Sequence, residues 1–302
     1  MYTRMLIPLD GSRLAENVLP YARAFARALG LRVELLSVVD SMDFARTMHA
    51  GHVRDFDPLI EAATQEGQRY LENTARSFGG TEVSYAVERG LADQIIIEKA
   101  GSDKETLIAM ATRGRSGIHR WLMGSVAEKV LRGATNPLLL VRGDKEGKSD
   151  GEAALTSIVV PLDGSKLAES VLPRAIDLAK KLNLAIVLTR AYQIPLSAAY
   201  AGADTPYIPN SDALLNLVRE EAGRYLEAKV DELHQNGVEK VSSILLVGSG
   251  ADEIIDLARS TPDNLIAMCT HGRSGVRSWA LGSVTEKVVR HSGDPVLVVR
   301  AE

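Results

Sequence analysis

At 302 residues, 45% hydrophobic and 25% charged, the chain has the balance of an ordinary soluble globular protein, and its length suits two domains of about 150 residues each. A net charge of −4 argues against a general nucleic-acid binder or a membrane-surface protein, and no apolar run approaches the roughly 20 residues that a membrane span needs. The single cysteine, Cys269, excludes an intrachain disulfide, and the N-terminus lacks the charged-then-apolar pattern of a secretion signal, so a cytoplasmic location is expected.

In chain order, the first segment is "MLIPLDGSRLAENVLPYARAFARALGL" (Met5 to Leu31), and it returns as "IVVPLDGSKLAESVLPRAIDLAKKLNL" (Ile158 to Leu184). Each copy opens on a short apolar strand. A helix follows, and in the first copy Val18, Leu19, Ala22, Phe25, Ala26 and Leu29 share one of its faces. Pro20 and Pro173 lie inside these helices, where a kink is expected. "RVELLSVVD" and "AIVLTRAYQ" are second strands. After a weakly patterned stretch, "EGQRYLENTARSF" and "EEAGRYLEAKVDEL" are helical, and "EVSYAVERG" and "KVSSILLVG" are third strands. "DQIIIEKA" and "DEIIDLA" predict helices, "TLIAMAT" and "NLIAMCT" fourth strands, "GSVAEKVLRG" and "GSVTEKVVRH" helices, and "PLLLVR" and "PVLVVR" fifth strands.

The order and spacing of the two copies mark a duplicated domain rather than a short-period solenoid. "GDKEGKSDGEAAL" (Gly143 to Leu155) is charged, Gly-rich and aperiodic, as an exposed linker is. The expected organisation is therefore a domain at 1–144, a linker at 145–155 and a second domain at 156–302. Alternating strands and helices with continuous apolar strands predict α/β domains, each with a doubly wound five-stranded parallel sheet flanked by helices.

In such sheets, ligands bind beyond the carboxyl ends of the strands, at the switch point of strand order. Two loops reach that end. The first is "ATRGRSGIHRWLMGSVAEKV" (Ala111 to Val130), repeated as "CTHGRSGVRSWALGSVTEKV" (Cys269 to Val288). Gly124, Ser125 and Val126 open a helix whose first N–H groups and positive dipole end face the loop. Gly114 allows close backbone approach, and Arg113 and Arg115 add positive charge. The second copy offers His271, Gly272, Arg273, Gly282, Ser283 and Val284 in this pattern. The loop is thus either an anion cradle or a capped turn, since Gly-Ser before a helix also serves as an N-cap. The other element is "PLDGS": Pro8, Leu9 and Asp10, then Pro161, Leu162 and Asp163. Asp and Ser here cap the next helix, or the Asp contacts a base or a metal.

At these residues the chain resembles the universal stress protein family in its tandem form, over nearly its whole length. Nucleotide-binding members carry Gly, two residues, Gly, nine residues, then Gly-Ser or Gly-Thr. Gly114, Gly124 and Ser125, and Gly272, Gly282 and Ser283, match the later elements. Ala111 and Cys269 replace the first glycine. If that position needs positive φ, a side chain there costs about 1 kcal/mol. If it only needs a small residue beside the ribose, Ala is tolerated better than Cys, so the first site is expected to be the better one. The resemblance implies a Rossmann-like fold of the adenine nucleotide α-hydrolase type. It implies adenine contacts at Asp10 and Val38, and at Asp163 and Ala191, with ribose and phosphates on the glycine loop. It implies ATP, ADP or AMP as ligand, accompanied by magnesium or manganese, with slow hydrolysis at most. Superfamily enzymes that split ATP between the α and β phosphates carry Ser-Gly-Gly-x-Asp after the first strand; "PLDGSRLAE" is not that loop. In single-domain members the fifth strands pair between subunits. Here the two repeats are expected to pair within the chain, leaving other surfaces for a homodimer.

Other candidates carry less. His49 and His52, near Asp55 and Asp57, have a metal-compatible spacing, but the second copy has no such pair. Cys269 follows a buried strand and is expected to be a packed thiol. Trp121 and Trp279 are expected to be apolar lids or interface residues. The expectation is an adenine-nucleotide-binding regulatory protein of the stress response. The alternatives are a nucleotide-free scaffold acting through protein partners and a slow ATPase.

Overall fold

In the computed structural model, residues 2–40, 57–113, 123–142, 151–193, 211–270 and 281–300 are described. By contact the chain divides into two units, the first comprising Met1–Ala154 with Pro295–Val298 and the second Leu155–Asp294 with Val299–Glu302.

In unit 1 the apolar run after Thr3 forms β1 (Arg4–Pro8), and its three central residues are buried. Ser12 then caps α1 (Arg13–Glu16), its hydroxyl accepting from the Ala15 N–H at 3.2 Å. The kink expected at Pro20 is instead a break. α1 ends at Glu16, α2 (Leu19–Leu29) starts afresh, and Pro20 occupies its first turn, where a missing N–H leaves no helical bond unmade. Pro173 does the same in unit 2. Val18, Leu19, Ala22, Phe25 and Ala26 of the predicted face are buried. Gly30 ends α2 in the left-handed region at φ 65°, a conformation glycine adopts without strain.

β2 (Arg32–Val39), α3 (Asp57–Arg76), β3 (Val83–Arg89), α4 (Ala92–Gly101), β4 (Thr106–Ala111), α5 (Ser125–Gly133) and β5 (Leu138–Val141) follow. The parallel sheet runs β3-β2-β1-β4-β5, with Arg4 of β1 opposite Arg32 of β2 and Thr106 of β4. β4 is buried along its whole length, as a central strand covered on both faces must be. β3 alternates toward exposure, consistent with its place at the edge.

Unit 2 repeats the plan. β6 (Ser157–Pro161), α6 (Lys166–Glu169), α7 (Leu172–Leu182), β7 (Ala185–Tyr192), α8 (Ser211–Gln235), β8 (Val241–Val247), α9 (Gly250–Ser260), β9 (Asn264–Cys269), α10 (Ser283–His291) and β10 (Val296–Val299) appear in order. Its strands run β9-β6-β7-β8, all parallel. β10, most of which groups with unit 1, lies antiparallel to β5 with Leu297 opposite Leu139.

Residues 151–153, in the stretch expected to be a linker, group with unit 1 and are fastened within it. Arg23, buried in α2, donates from Nε to the Gly151 carbonyl at 2.7 Å and from a terminal nitrogen to Ser77 Oγ at 3.1 Å. Its guanidinium stands 5.9 Å from the Phe78 ring centre. Arg27 pairs with Glu152, and the Ala153 N–H donates to the Pro20 carbonyl at 3.0 Å.

Candidate functional site

In unit 1 the chain runs outward through β1, β2 and β3, then returns to place β4 on the other side of β1. The order reverses between β1 and β4, which opens a crevice at their carboxyl ends. Leu9 continues β1, its N–H bound to the Leu36 carbonyl at 2.8 Å. Asp10, half-buried, then folds back: one carboxylate oxygen accepts from the Ser12 N–H at 2.9 Å and from Ser12 Oγ at 2.6 Å. Gly11 between them has φ 77°, the left-handed value this tight turn requires. Of the two sequence readings of "PLDGS", the turn shows the capping one. Ser12 is the cap, and Asp10 braces the cap at the crevice. α1 packs against β4.

On the β4 side, Ala111 is the last residue of the strand. Its backbone is extended, as is that of Cys269, the last residue of β9. Among the described residues only Asn183 and Asp263 combine a side chain with positive φ. The strain considered for the missing first glycine is therefore absent. Thr112, buried, ties β4 to β5 through its N–H to the Val141 carbonyl at 2.8 Å, and its own carbonyl accepts from the Gly124 N–H at 2.7 Å. This second bond pins the start of α5 beside the end of β4. Gly124 is the N-cap, with φ −65° and ψ 148°, and provides no side-chain cap. Ser125 is thus the first helical residue rather than the cap. It is exposed, and Val126 is half-buried. Glu128 in the first turn is paired with Arg132 at 3.3 Å. The open helix start, with its N–H groups and dipole, is the strongest anion-attracting feature here.

Unit 2 reproduces these distances. Asp163 accepts from the Ser165 N–H at 2.9 Å and from Ser165 Oγ at 2.6 Å. Gly282, again an N-cap without a side-chain bond, donates to the Thr270 carbonyl at 2.8 Å. Two differences stand out. Cys269 is buried and accepts from Ser170 Oγ at 3.3 Å, a packed thiol. Thr285 Oγ1 donates to the Cys269 carbonyl at 2.9 Å, where unit 1 has Ala127. Ser283 and Val284 are exposed.

Pro8 and Pro161 end β1 and β6, while Val38 and Ala191 are the penultimate residues of β2 and β7, so all four reach the same sheet ends as the Asp turns. Arg113, half-buried, is the second residue after β4. Gly114, Arg115, His271, Gly272, Arg273, Trp121, Trp279, His49, His52 and Asp55 lie outside the described residues. Among the described residues no cluster of three His, Cys, Asp or Glu side chains is built to hold a metal, and no helix is long and apolar enough to cross a membrane.

Sequence reasoning passed over Thr112 and Thr270, whose carbonyls anchor the glycine caps, and the pairs Tyr70–Glu16 and Tyr225–Glu169. The Tyr70 hydroxyl donates to Glu16 Oε1 at 3.1 Å, and that of Tyr225 to Glu169 Oε1 at 2.9 Å. Their signal was in the text: "RYLE" and "LAE" recur at matching places in both copies.

The fold and the two sheet-end sites define a duplicated, doubly wound α/β protein. The model of the universal stress protein family matches residues 1–142 and again residues 155–300, and the chain belongs to that family. Universal stress protein MJ0531 of Methanocaldococcus jannaschii is 30% identical over 146 residues, which is 48% of this chain and 85% of that protein. Universal stress protein Rv2005c of Mycobacterium tuberculosis is 25% identical over 202 residues, 66% of this chain and 63% of that one. The crystal structure of a universal stress protein from Archaeoglobus fulgidus superposes with a TM-score of 0.68 at 21% identity, covering 98% of both chains, a likeness of fold.

Proposed function

We propose that the chain binds an adenine nucleotide at the sheet end of one or both units and acts as a regulatory protein of the stress response, not as a high-turnover enzyme. The observation that carries this reading is the uncapped helix start. In both units a glycine N-cap is held at 2.7–2.8 Å from the threonine that follows the fourth strand, across the switch point from a braced Asp turn. The starts of α1 and α6 are closed by their own serine caps, while those of α2, α4, α7 and α9 also lack a side-chain cap; what sets α5 and α10 apart is their place at the switch point. An uncapped start at a switch point is an anion site in search of an anion.

In this reading the N–H groups of Ser125 and Val126 meet phosphate, Ser125 Oγ donates to it, and Gly114 and Arg115 complete the cradle. Asp10, Leu9 and Val38 face the base. Ser283, Val284, Gly272, Arg273, Asp163, Leu162 and Ala191 take these roles in unit 2. A magnesium or manganese ion that accompanies the nucleotide is assigned to its phosphates rather than to a carboxylate cluster of the protein. The extended backbone at Ala111 and Cys269 takes away the strain objection to either site.

The test begins with freshly purified protein, denatured and filtered, the released nucleotide being identified and counted by chromatography and mass. One or two adenine nucleotides per chain are expected. None released, followed by no binding when ATP and magnesium are added, would end this reading in favour of the scaffold. Because backbone donors carry the binding, Gly124→Ala is expected to weaken ATP more than Arg115→Ala. Gly124 has an ordinary extended backbone that alanine accepts, so its fold survives the change. Equal affinity in the two variants would remove the backbone argument.

A further inference from the structure

The braced Asp turn leads straight into a four-residue helix in each unit, α1 and α6. A single turn of helix has little stability of its own, because fixing its dihedrals yields only one or two backbone bonds. Something else must hold it, and with it the Asp turn. In unit 1 α1 packs on β4 with Ala15 buried, and its far end is held by the Tyr70 hydroxyl on Glu16, joining the last residue of α1 to the long helix α3 at 3.1 Å. In unit 2 it is the Tyr225 hydroxyl on Glu169 at 2.9 Å, joining α6 to α8. Burial first, then the carboxylate, raises the phenol of Tyr70 above its ordinary range, and the same two causes act on Tyr225. Both hydroxyls therefore keep their proton and remain donors.

The two clamps differ in strength. In unit 2 Lys229 Nζ also binds Glu169, at 3.0 Å, and is itself held by Glu232 at 2.7 Å. Arg190, buried in β7, stacks 4.9 Å from the centre of the Tyr225 ring and is held two-pronged by Glu221 at 3.2 and 2.8 Å. In unit 1 the matching places hold Thr74, which bonds back to the Tyr70 carbonyl, and Ser37. Among the described residues, Glu16 has the Tyr70 hydroxyl as its hydrogen-bond partner and no cation beside it.

The geometry points to Tyr70 and Tyr225 as positioning residues that hold the Asp turn of each sheet-end site, with the clamp of unit 1 resting on one hydroxyl and that of unit 2 reinforced by cations. The positioning itself stands on the contacts above; its consequence for ligand rests on the nucleotide-binding reading. Unit 1 is then the site whose base-facing turn loosens more readily.

The experiment uses the full chain as wild type, Tyr70→Phe, Tyr225→Phe, Asp10→Ala and the Tyr70→Phe/Asp10→Ala double variant. Hydrogen–deuterium exchange without nucleotide is read first at the Ser12 and Ala15 amides, which donate to Asp10 and Ser12. Losing the one hydroxyl is expected to speed their exchange about fivefold and to leave β4 unchanged. Tyr225→Phe is expected to move Ser165 and Ala168 less, because Lys229 still holds Glu169. Unchanged exchange at Ser12 and Ala15, or a rise spread evenly over β4 and α3, overturns the positioning role. An equal or larger effect in unit 2 overturns the asymmetry. ATP–magnesium titration follows. Tyr70→Phe is expected to weaken one class of site about fivefold and to add nothing once Asp10 is alanine. The same weakening with and without Asp10 means that the tyrosine does not act through the turn. If wild type binds no ATP, the nucleotide reading fails, while the exchange data still decide the positioning.

Discussion

Asp10 and Asp163 each brace a serine cap at the carboxyl end of a strand. Each was open to a capping or a ligand reading. The 2.6 Å bond to the following serine makes the carboxylate the brace of a cap that stands at the mouth of the crevice. Ser12→Ala removes the cap of α1 and the hydroxyl bond to Asp10, while the backbone N–H at position 12 stays on that carboxylate. It is expected to cost about 1 kcal/mol, read as a lower urea midpoint, and an unchanged midpoint would show that the turn holds without it. Ala111 is informative in the opposite sense. Its extended backbone has no strain for a glycine to relieve, so Ala111→Gly is expected to destabilise by roughly 0.5–1 kcal/mol through chain entropy. A more stable glycine variant would show that the strand end is strained after all. Glu169 gives a pH signature. Burial opposes its charge, but the bonds from Lys229 and Tyr225 prevail and hold its carboxyl below the ordinary glutamate range of about 4.3. The folded state thus gains stability that is present above that value and is lost as pH falls through the lowered folded value. Glu169→Gln should flatten this part of the acid limb of a stability–pH curve. A limb of unchanged slope would mean that other carboxylates carry it.

Among the elements, the paired helices α1–α2 and α6–α7 depart most from a plain reading of periodicity. The apolar spacing runs through them without a gap, yet each is divided just ahead of its proline, and the first piece begins on its own serine cap. The division frees the first turn to lie across the strand end while the second half packs its apolar face on the sheet. The linker is the other element with a structural task. Arg23 occupies a helix position where unit 2 has Ile176, and it holds the Gly151 carbonyl. Arg23→Ile is expected to free Gly151–Ala153 and to speed cleavage after Glu152 by a glutamate-specific protease several-fold, near the roughly 1 kcal/mol of a single hydrogen bond. Cleavage at the wild-type rate would mean that Arg27 and the Ala153 N–H suffice.

For the whole molecule, β10 matters most. Residues 295–298 follow the rest of unit 2 in sequence but group with unit 1, where they cover the edge of β5, all four of whose residues are apolar and buried. An uncovered apolar edge strand invites pairing with another chain. A chain ending at residue 154 is therefore expected to self-associate, running above monomer mass in light scattering, while the full chain with Leu297→Lys is expected to lose stability. A monomeric short chain would show that β5 does not need its cover.

Much of this protein was legible in its residues. The duplication, the strand and helix order, the parallel strands and the placing of the Asp turns and the Gly124 and Gly282 helix starts at one sheet end all follow from local pattern, because apolar runs, glycines and prolines act on their own neighbourhood. Tertiary structure alone decided what depends on residues distant in sequence. It gave Ala111 and Cys269 an extended backbone, because their neighbours in the sheet hold them. It set Tyr70 on Glu16, 54 positions away, and bound Arg23 to Gly151, 128 positions away. The pairing of β10 with β5, expected from the family resemblance, likewise had its antiparallel register fixed only in the tertiary structure. Such contacts are set by which surfaces meet when the layers pack, and no local pattern records that meeting.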